Sequence, residues 1–331
     1  MTRFLIIQTA FIGDVILATS LIEKLKFHYP ESRIDFLLRK GNEGLLQDHP
    51  KLNQTWIWDK KNGKYRELFR LSKAIRSQDY ETVINLQRFG ATGFLTAFSN
   101  ATNRIGFAKN PFSVFFTHRY PHAFGSDEPY RHEIDRNLSL IHDLTDDQRF
   151  NPKLYPSEAD FNQVAEFQDQ PYFCIAPASV WHTKQFPIDK WIEFLNQEEV
   201  KKFRVYLIGG PNDQVLCEVI RSKTKHPFTF NLSGQISFLQ TAALMRQARM
   251  NYSNDSAPLH LASAMDAPVT AIFCSTVPHF GFGPLSDESY VVEEQEKLEC
   301  RPCTDHGKPQ CPLGHFKCAY NIDIRNLVDV L

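Results

Sequence analysis

A chain of 331 residues, 42% hydrophobic and 23% charged, holds enough material for two domains with separate cores, and its composition is that of a soluble globular protein. No uncharged apolar run is long enough to span a bilayer, and the opening "MTRFLIIQTAFIGDVIL" lacks the cleavage region of a secretory signal, so a cytoplasmic protein is expected. A net charge of −1 speaks against wholesale nucleic-acid binding, while a slight positive excess in the first half leaves room there for an anionic partner.

Buried-strand patterns and helical patterns alternate along the chain. In the first half, 4–8, 33–39, 54–58 and 82–87 read as strands, and 14–30 and 65–78 as helices, the first stopped by Pro30. A looser, aromatic-rich stretch covers 89–130. The pattern restarts near 171, with strands at 171–179, 203–210, 250–254 and 269–274 and helices at 187–197, 236–249 and 258–265. Strand–helix alternation twice over predicts two doubly wound α/β domains, 1–160 and 161–331, with the boundary in the polar stretch 151–170. Ligands of such sheets bind beyond the carboxyl ends of the strands, so the turns there are the places to look for chemistry.

Three turns carry candidates. Gly13-Asp14 follows the first strand. Asp14 reads as a helix cap or as a general base that takes a proton from an acceptor hydroxyl, and one carboxylate can serve both. "ASVWHTKQFP" (178–187) follows the first strand of the second half, where Ser179, Thr183 and Lys184 suit phosphate oxygens, or else form a solvated loop. It is not a Walker A loop. "NDSAPLHLASA" (254–264) starts a helix at Asp255-Ser256 with Pro258 in the first turn. The backbone N–H groups and dipole of such a start favour a diphosphate, although a plain core helix with a buried His260 has the same pattern. "GG" at 209–210 adds a weak sign of close ligand approach. No D-x-D occurs in the chain, so a diphosphate would be neutralised by Lys184 and helix N-termini rather than by a carboxylate-bound magnesium ion.

Taken together, "FIGDVILATSLIEKLKFHYP", "TKQFP", "GGPND", "NLSGQISF" and "SNDSAPLHLASAMDAPVTAIF" resemble, in order and spacing, the heptosyltransferases of glycosyltransferase family 9. "STVPHFGFGPLS" (275–286) looks like the donor loop of the second heptosyltransferase. The resemblance implies a GT-B fold, with two Rossmann-like domains facing across a cleft. It implies ADP-heptose as donor, held mainly by the second domain, and an inner-core sugar on a lipid A precursor as acceptor, held by the first. Asp14 falls on the family's catalytic carboxylate, with inverting, metal-independent transfer and Lys184 stabilising the leaving diphosphate. The donor-binding set is then Gly13, Ser179, Thr183, Lys184, Gly209, Asp255, Ser256, Ala257 and His260. Ala257 and Cys274 stand where the family often has glycine.

Arg104 and Arg119, with Lys109, Arg131, Arg136 and the histidines 118, 122 and 132 nearby, form a candidate basic rim for the acceptor. Phe112, Phe115, Phe116 and Tyr120 either pack that stretch or touch a lipid surface at the inner membrane. Four of the seven cysteines, Cys300, Cys303, Cys311 and Cys318, crowd together as C-x2-C-x7-C-x6-C. They suit a structural zinc, with His306 and His315 as substitute ligands, or else free thiols or a redox-labile disulfide. Two other readings stay open: a GT-B transferase with another nucleotide-sugar donor, such as a UDP-sugar, and a non-catalytic nucleotide- or metal-binding module. A dehydrogenase is excluded by the missing G-x-G-x-x-G turn.

Overall fold

The computed structural model describes residues 1–125 and 130–331; part of the aromatic-rich stretch, 126–129, lies outside the described residues. The chain divides into two compact units. The first comprises 1–124 and 131–155, and the second 156–331 together with the short segment 125–130.

The first unit runs β1 (Arg3–Ile7), α1 (Ile12–His28), β2 (Arg33–Arg39), β3 (Gln54–Trp58), α2 (Lys64–Arg76), β4 (Thr82–Asn85), α3 (Gly90–Ala97), β5 (Asn103–Phe107), β6 (His118–Tyr120) and α4 (Glu133–Leu138). Its six strands form one parallel sheet in the order β3-β2-β1-β4-β5-β6. β1 is central, which is why "FLII" is apolar at every position: both faces are covered. Leu5, Ile7, Leu37, Trp58 and Val83 make the core under α2 and α3. α1 is buried from Val15 to Leu25. Its Lys24 survives there because the ammonium donates to the carbonyls of Asp146 and Gln148 and pairs with the Asp146 carboxylate at 3.1 Å.

The second unit runs α5 (Glu158–Val164), β7 (Tyr172–Ala176), α6 (Ile188–Leu195), β8 (Arg204–Leu207), α7 (Gln214–Lys223), β9 (Thr229–Asn231), α8 (Phe238–Gln247), β10 (Met250–Asn254), α9 (Ala257–Ala264), β11 (Val269–Phe273), β12 (Ser289–Glu293), α10 (Lys317–Tyr320) and α11 (Arg325–Val328). Its sheet is also parallel, in the order β12-β11-β10-β7-β8-β9. Phe173, Trp191, Phe194, Leu207 and Tyr252 anchor its core, and Cys318 and Leu327 from the chain's end pack into the same cluster. Both units therefore show the doubly wound Rossmann order, with the chain reversing direction between β1 and β4 in one and between β7 and β10 in the other. Among the described residues no helix is long and apolar enough to cross a membrane.

The stretch left irregular by the sequence pattern holds α3, β5 and β6. It is ordered by side chains that cap it. Asn110 donates to the carbonyls of Gln87 and Phe89 and accepts from the Phe112 N–H, and Ser113 donates to Ala108.

Candidate functional site

In the first unit Asp14 is the third residue of α1, and its Oδ2 accepts the N–H of Phe11 at 3.0 Å. The carboxylate thus ties off the helix start while remaining only half-buried. Gly13 is its neighbour in that first turn, in the first unit rather than with the other proposed donor residues. The preceding loop is pinned at several points. Lys60 donates to the carbonyl and the hydroxyl of Thr9, both at 2.8 Å, and the Thr9 hydroxyl donates to Gln87 at 2.6 Å. Burial, with Arg39 and Lys64 nearby, pushes the Lys60 amine down to about 8. Sequence reasoning passed over Lys60, which follows β3 in an otherwise ordinary lysine run. α4 packs on α1 and brings a buried ion pair, Glu133 Oε2 with Arg136 Nε at 2.8 Å. Burial pushes the Glu133 carboxyl up; the Arg136 charge opposes this and the Asp14 charge adds to it.

The sequence-predicted acceptor residues separate. Arg104 lies near the amino end of β5, away from the sheet edge where such folds bind ligands. Its guanidinium donates to the carbonyls of Ala101 (2.5 Å) and Phe115 (2.9 Å), so it holds the 112–116 turn in place. Arg119 is exposed on the edge strand β6. Of the remaining rim residues, Arg136 is spent on Glu133, and His122 is buried against Phe107, its ring pushed down to about 4 mainly by that burial.

In the second unit the candidates converge at the carboxyl edge of the sheet, where the chain reverses between β7 and β10. Lys184 comes from the loop after β7 and Asp255 from the turn after β10. Their side chains meet as an ion pair, Nζ to Oδ2 at 2.6 Å, with both largely buried. The Thr276 hydroxyl donates to the same Oδ2 at 2.7 Å. Asn254 links the two loops from beneath, accepting the Phe186 N–H at 2.9 Å and donating to the Pro177 carbonyl at 2.8 Å. Ser256 stands at the N-cap of α9 without a side-chain bond to it; Pro258 has no N–H and the Leu259 N–H donates to the Ser256 carbonyl, so Ala257 carries the helix's foremost N–H at this edge. The Asp255 N–H is not among the free donors that the sequence suggested: it is bonded to Ile272 within the sheet.

Thr183 is also redirected. It is buried, and its hydroxyl accepts from Ser275 (2.9 Å) and from the Lys308 N–H (2.8 Å), which leaves it a brace for Lys184 rather than an exposed phosphate ligand. Ser179 is half-buried and its carbonyl accepts from Gln185. Gly209 follows β8, where an added Cβ would lie 2.7 Å from the Asp213 carboxylate. His260 is buried in α9, its ring 6.2 Å from that of Phe282. Cys274 is fully buried in the core cluster, with its thiol pushed well up by that burial, so its side chain is part of the core rather than exposed at this edge.

The cysteine-rich tail proves to be part of this edge. Arg301 donates to the carbonyls of Cys274 (2.7 Å), Phe273 (3.2 Å) and Thr276 (2.8 Å) and pairs with Glu293. The Cys303 N–H donates to Ser275. Gly307 comes close to the side chains of Lys184 and Trp181, leaving no room for a Cβ. Cys300, Cys303 and Cys311 are half-buried free thiols and Cys318 is buried; the Cys300 sulfur is 4.0 Å from Nε2 of His315. Among the described residues no three His, Cys, Asp or Glu side chains are drawn together around a metal position, and no step is derived through one.

This arrangement has relatives. Residues 68–313 match glycosyltransferase family 9 (heptosyltransferase). Lipopolysaccharide heptosyltransferase 3 of Escherichia coli K12 is 28% identical over 316 residues, covering 89% of this chain and 90% of that one. The glycosyl transferase family 9 structure from Veillonella parvula superposes with a TM-score of 0.85 at 20% identity, covering 99% of this chain and 96% of that one. E. coli ADP-heptose LPS heptosyltransferase II superposes with a TM-score of 0.82 at 18% identity, covering 100% and 97%. With two Rossmann-like units of the GT-B class, the chain belongs to glycosyltransferase family 9, the heptosyltransferases.

Proposed function

We propose that this enzyme moves heptose from ADP-heptose to an inner-core sugar of a lipid A-linked acceptor, with inversion at the anomeric carbon and without a catalytic metal. The observation that carries the reading is the Lys184–Asp255 pair set beside the start of α9 at the strand crossover of the second unit. There a cation and helix N–H groups meet the negative charge that grows on a departing diphosphate. Asp255 fixes the direction of the Lys184 ammonium, which keeps two further N–H donors for phosphate oxygens.

Asp14, in the first unit, takes the proton of the acceptor hydroxyl. The oxygen attacks the anomeric carbon as the bond from that carbon to the diphosphate oxygen breaks, and ADP leaves with the bonding pair. One displacement inverts the centre. The Asp255 carboxylate is occupied by Lys184 and Thr276, and the chain has no D-x-D, which supports charge neutralisation by the protein alone. The relatives, a lipopolysaccharide heptosyltransferase and an ADP-heptose LPS heptosyltransferase, support the donor and the lipopolysaccharide acceptor. On this reading the enzyme works in the cytoplasm at the inner-membrane surface, with Arg119 as an acceptor contact.

The test is product analysis with ADP-heptose and defined core acceptors, with and without excess EDTA. A heptosylated product of inverted anomeric configuration, formed equally in both, is expected. Transfer from UDP-sugars alone, or an immediate EDTA block relieved by magnesium, would overturn the donor or the metal-free mechanism.

A further inference from the structure

One face of the first unit exposes a connected group of aromatic side chains. Phe69 on α2, Phe98 at the end of α3, and Phe115 in the turn before β6 are 62%, 45% and 54% exposed, and Val114 is 70% exposed. They are joined. Phe94 sits 5.7 Å from Phe69, 4.7 Å from Phe98 and 6.0 Å from Phe112 between ring centroids, and Phe115 lies 6.4 Å from Phe98 and 6.3 Å from Phe112. Single exposed phenylalanines need no account, whereas a contiguous patch marks a contact surface.

The patch is held rigid. Arg104 grips the Phe115 carbonyl, and Asn110 fixes the Phe112 N–H. A Cβ at Gly93 would fall 2.0 Å from Asn110, so α3 and the turn meet closely. Side chains displayed on a braced turn lose little entropy when they insert into another phase.

The charge around the patch selects the partner. α2 carries Lys64, Arg66, Arg70, Lys73 and Arg76 against the single acid Glu67, which is paired with Arg70. Arg66 and Lys73 stand three and four residues from Phe69, on its side of the helix. A second copy of this chain placed on the same patch would set one basic helix against another. An anionic bilayer offers apolar depth for the rings and negative headgroups for the cations.

We propose that this face docks the enzyme on an anionic lipid surface, with Phe69, Phe98 and Phe115 at headgroup level and Arg66 and Lys73 on lipid phosphates. This deepens the reading above, which has a lipid-borne acceptor, but the binding itself needs no acceptor. The test uses the full chain with phosphatidylcholine vesicles, with and without phosphatidylglycerol. Wild type should sediment with the phosphatidylglycerol vesicles at low salt and be released at high salt. Arg66→Gln with Lys73→Gln should weaken partitioning roughly 30-fold, by the energy of two surface cations. Phe69→Ser, Phe98→Ser and Phe115→Ser together should abolish it, with an unchanged circular dichroism spectrum.

Transfer to an acceptor stripped of its acyl chains should be equal in wild type and variants. If wild type binds vesicles but transfers nothing, the enzymatic reading fails and the docking face stands. If wild type ignores phosphatidylglycerol vesicles, or the variants bind as well as it does, the docking face is overturned. Concentration-dependent dimers of wild type, lost in the phenylalanine variant and unaffected by vesicles, would assign the patch to a second copy and overturn it too.

Discussion

Lys184 and Asp255, 71 positions apart in the chain, meet at 2.6 Å across the crossover of the second sheet, and Thr276 from a third loop bonds to the same carboxylate oxygen. Each partner therefore sets the other's position. Lys184→Met leaves a buried carboxylate without its cation, and Asp255→Asn leaves Lys184 without its guide. Each single change should weaken ADP binding. The double change should cost less than the sum, with a coupling of about 0.5–3 kcal/mol in a double-mutant cycle read by calorimetry. Strict additivity would mean that the two do not act on ADP as a unit.

Gly307 is where the cysteine-rich tail touches this pair. Its φ is +84°, and a Cβ there would lie 2.9 Å from Cγ of Lys184 and 3.1 Å from Cβ of Trp181. Gly307→Ala adds both left-handed backbone strain and a push on the Lys184 stem. Melting should fall by about 2–4 °C for each kcal/mol lost, and the donor KM should rise. Gly307→Asn tolerates the left-handed backbone better but still carries a Cβ. It should recover stability without recovering KM. Recovery of both would confine the role of Gly307 to the turn.

The doubly wound plan was legible because central parallel strands are buried on both faces and so read as unbroken apolar runs, as in "FLII" and "VTAIF". The edges were not. β6 is "HRY" and β9 is "TFN", three residues each, with partly exposed polar side chains. The candidate residues Asp14, Lys184 and Asp255 stand in motifs that single them out. The pairing of the last two could not be read from those motifs, since no local pattern encodes a contact over 71 positions. Arg301 was hidden for another reason: apart from Glu293 its partners are main-chain carbonyls, which have no sequence signature. The cysteines around it suggested a structural metal, free thiols or a labile disulfide; what the structure shows of the tail is its hold on the 273–276 loop and the approach of Gly307 to Lys184.

Acid sensitivity follows from two buried rings. Burial pushes both His49 and His122 from 6.5 down to about 4; for His49 the nearby Glu23 opposes this, and for His122 Arg88, Arg136 and Lys109 add to it. The folded chain keeps both rings neutral, while the unfolded chain protonates them near their ordinary value. Between pH 6.5 and about 4 the unfolded state thus binds more protons, and stability falls as pH falls. Urea midpoints measured across this range should decline, and His122→Gln, which cannot titrate, should flatten the decline. An unchanged slope in that variant would show that His122 takes up no proton on unfolding.

Asp14 has a structural role and is proposed for a chemical one, and two substitutions separate them. Its Oδ2 accepts the Phe11 N–H at the start of α1. Asn keeps an oxygen for that bond and nearly the same shape, but it cannot accept a proton from a hydroxyl and carries no charge toward the helix dipole. Ala loses the bond as well. Loss of a cap costs about 1 kcal/mol, and loss of the dipole contact about 0.3–1 kcal/mol. Asp14→Ala should therefore melt lower than Asp14→Asn. Both should lose transfer alike, by about 10²–10⁴ if the carboxylate is the general base. ADP affinity should stay within a few-fold of wild type in each, because the diphosphate contacts are assigned to Lys184 and α9 in the second unit. Turnover in Asp14→Asn close to wild type, with a loss only in Asp14→Ala, would reduce Asp14 to a helix cap and leave the proton transfer to another group.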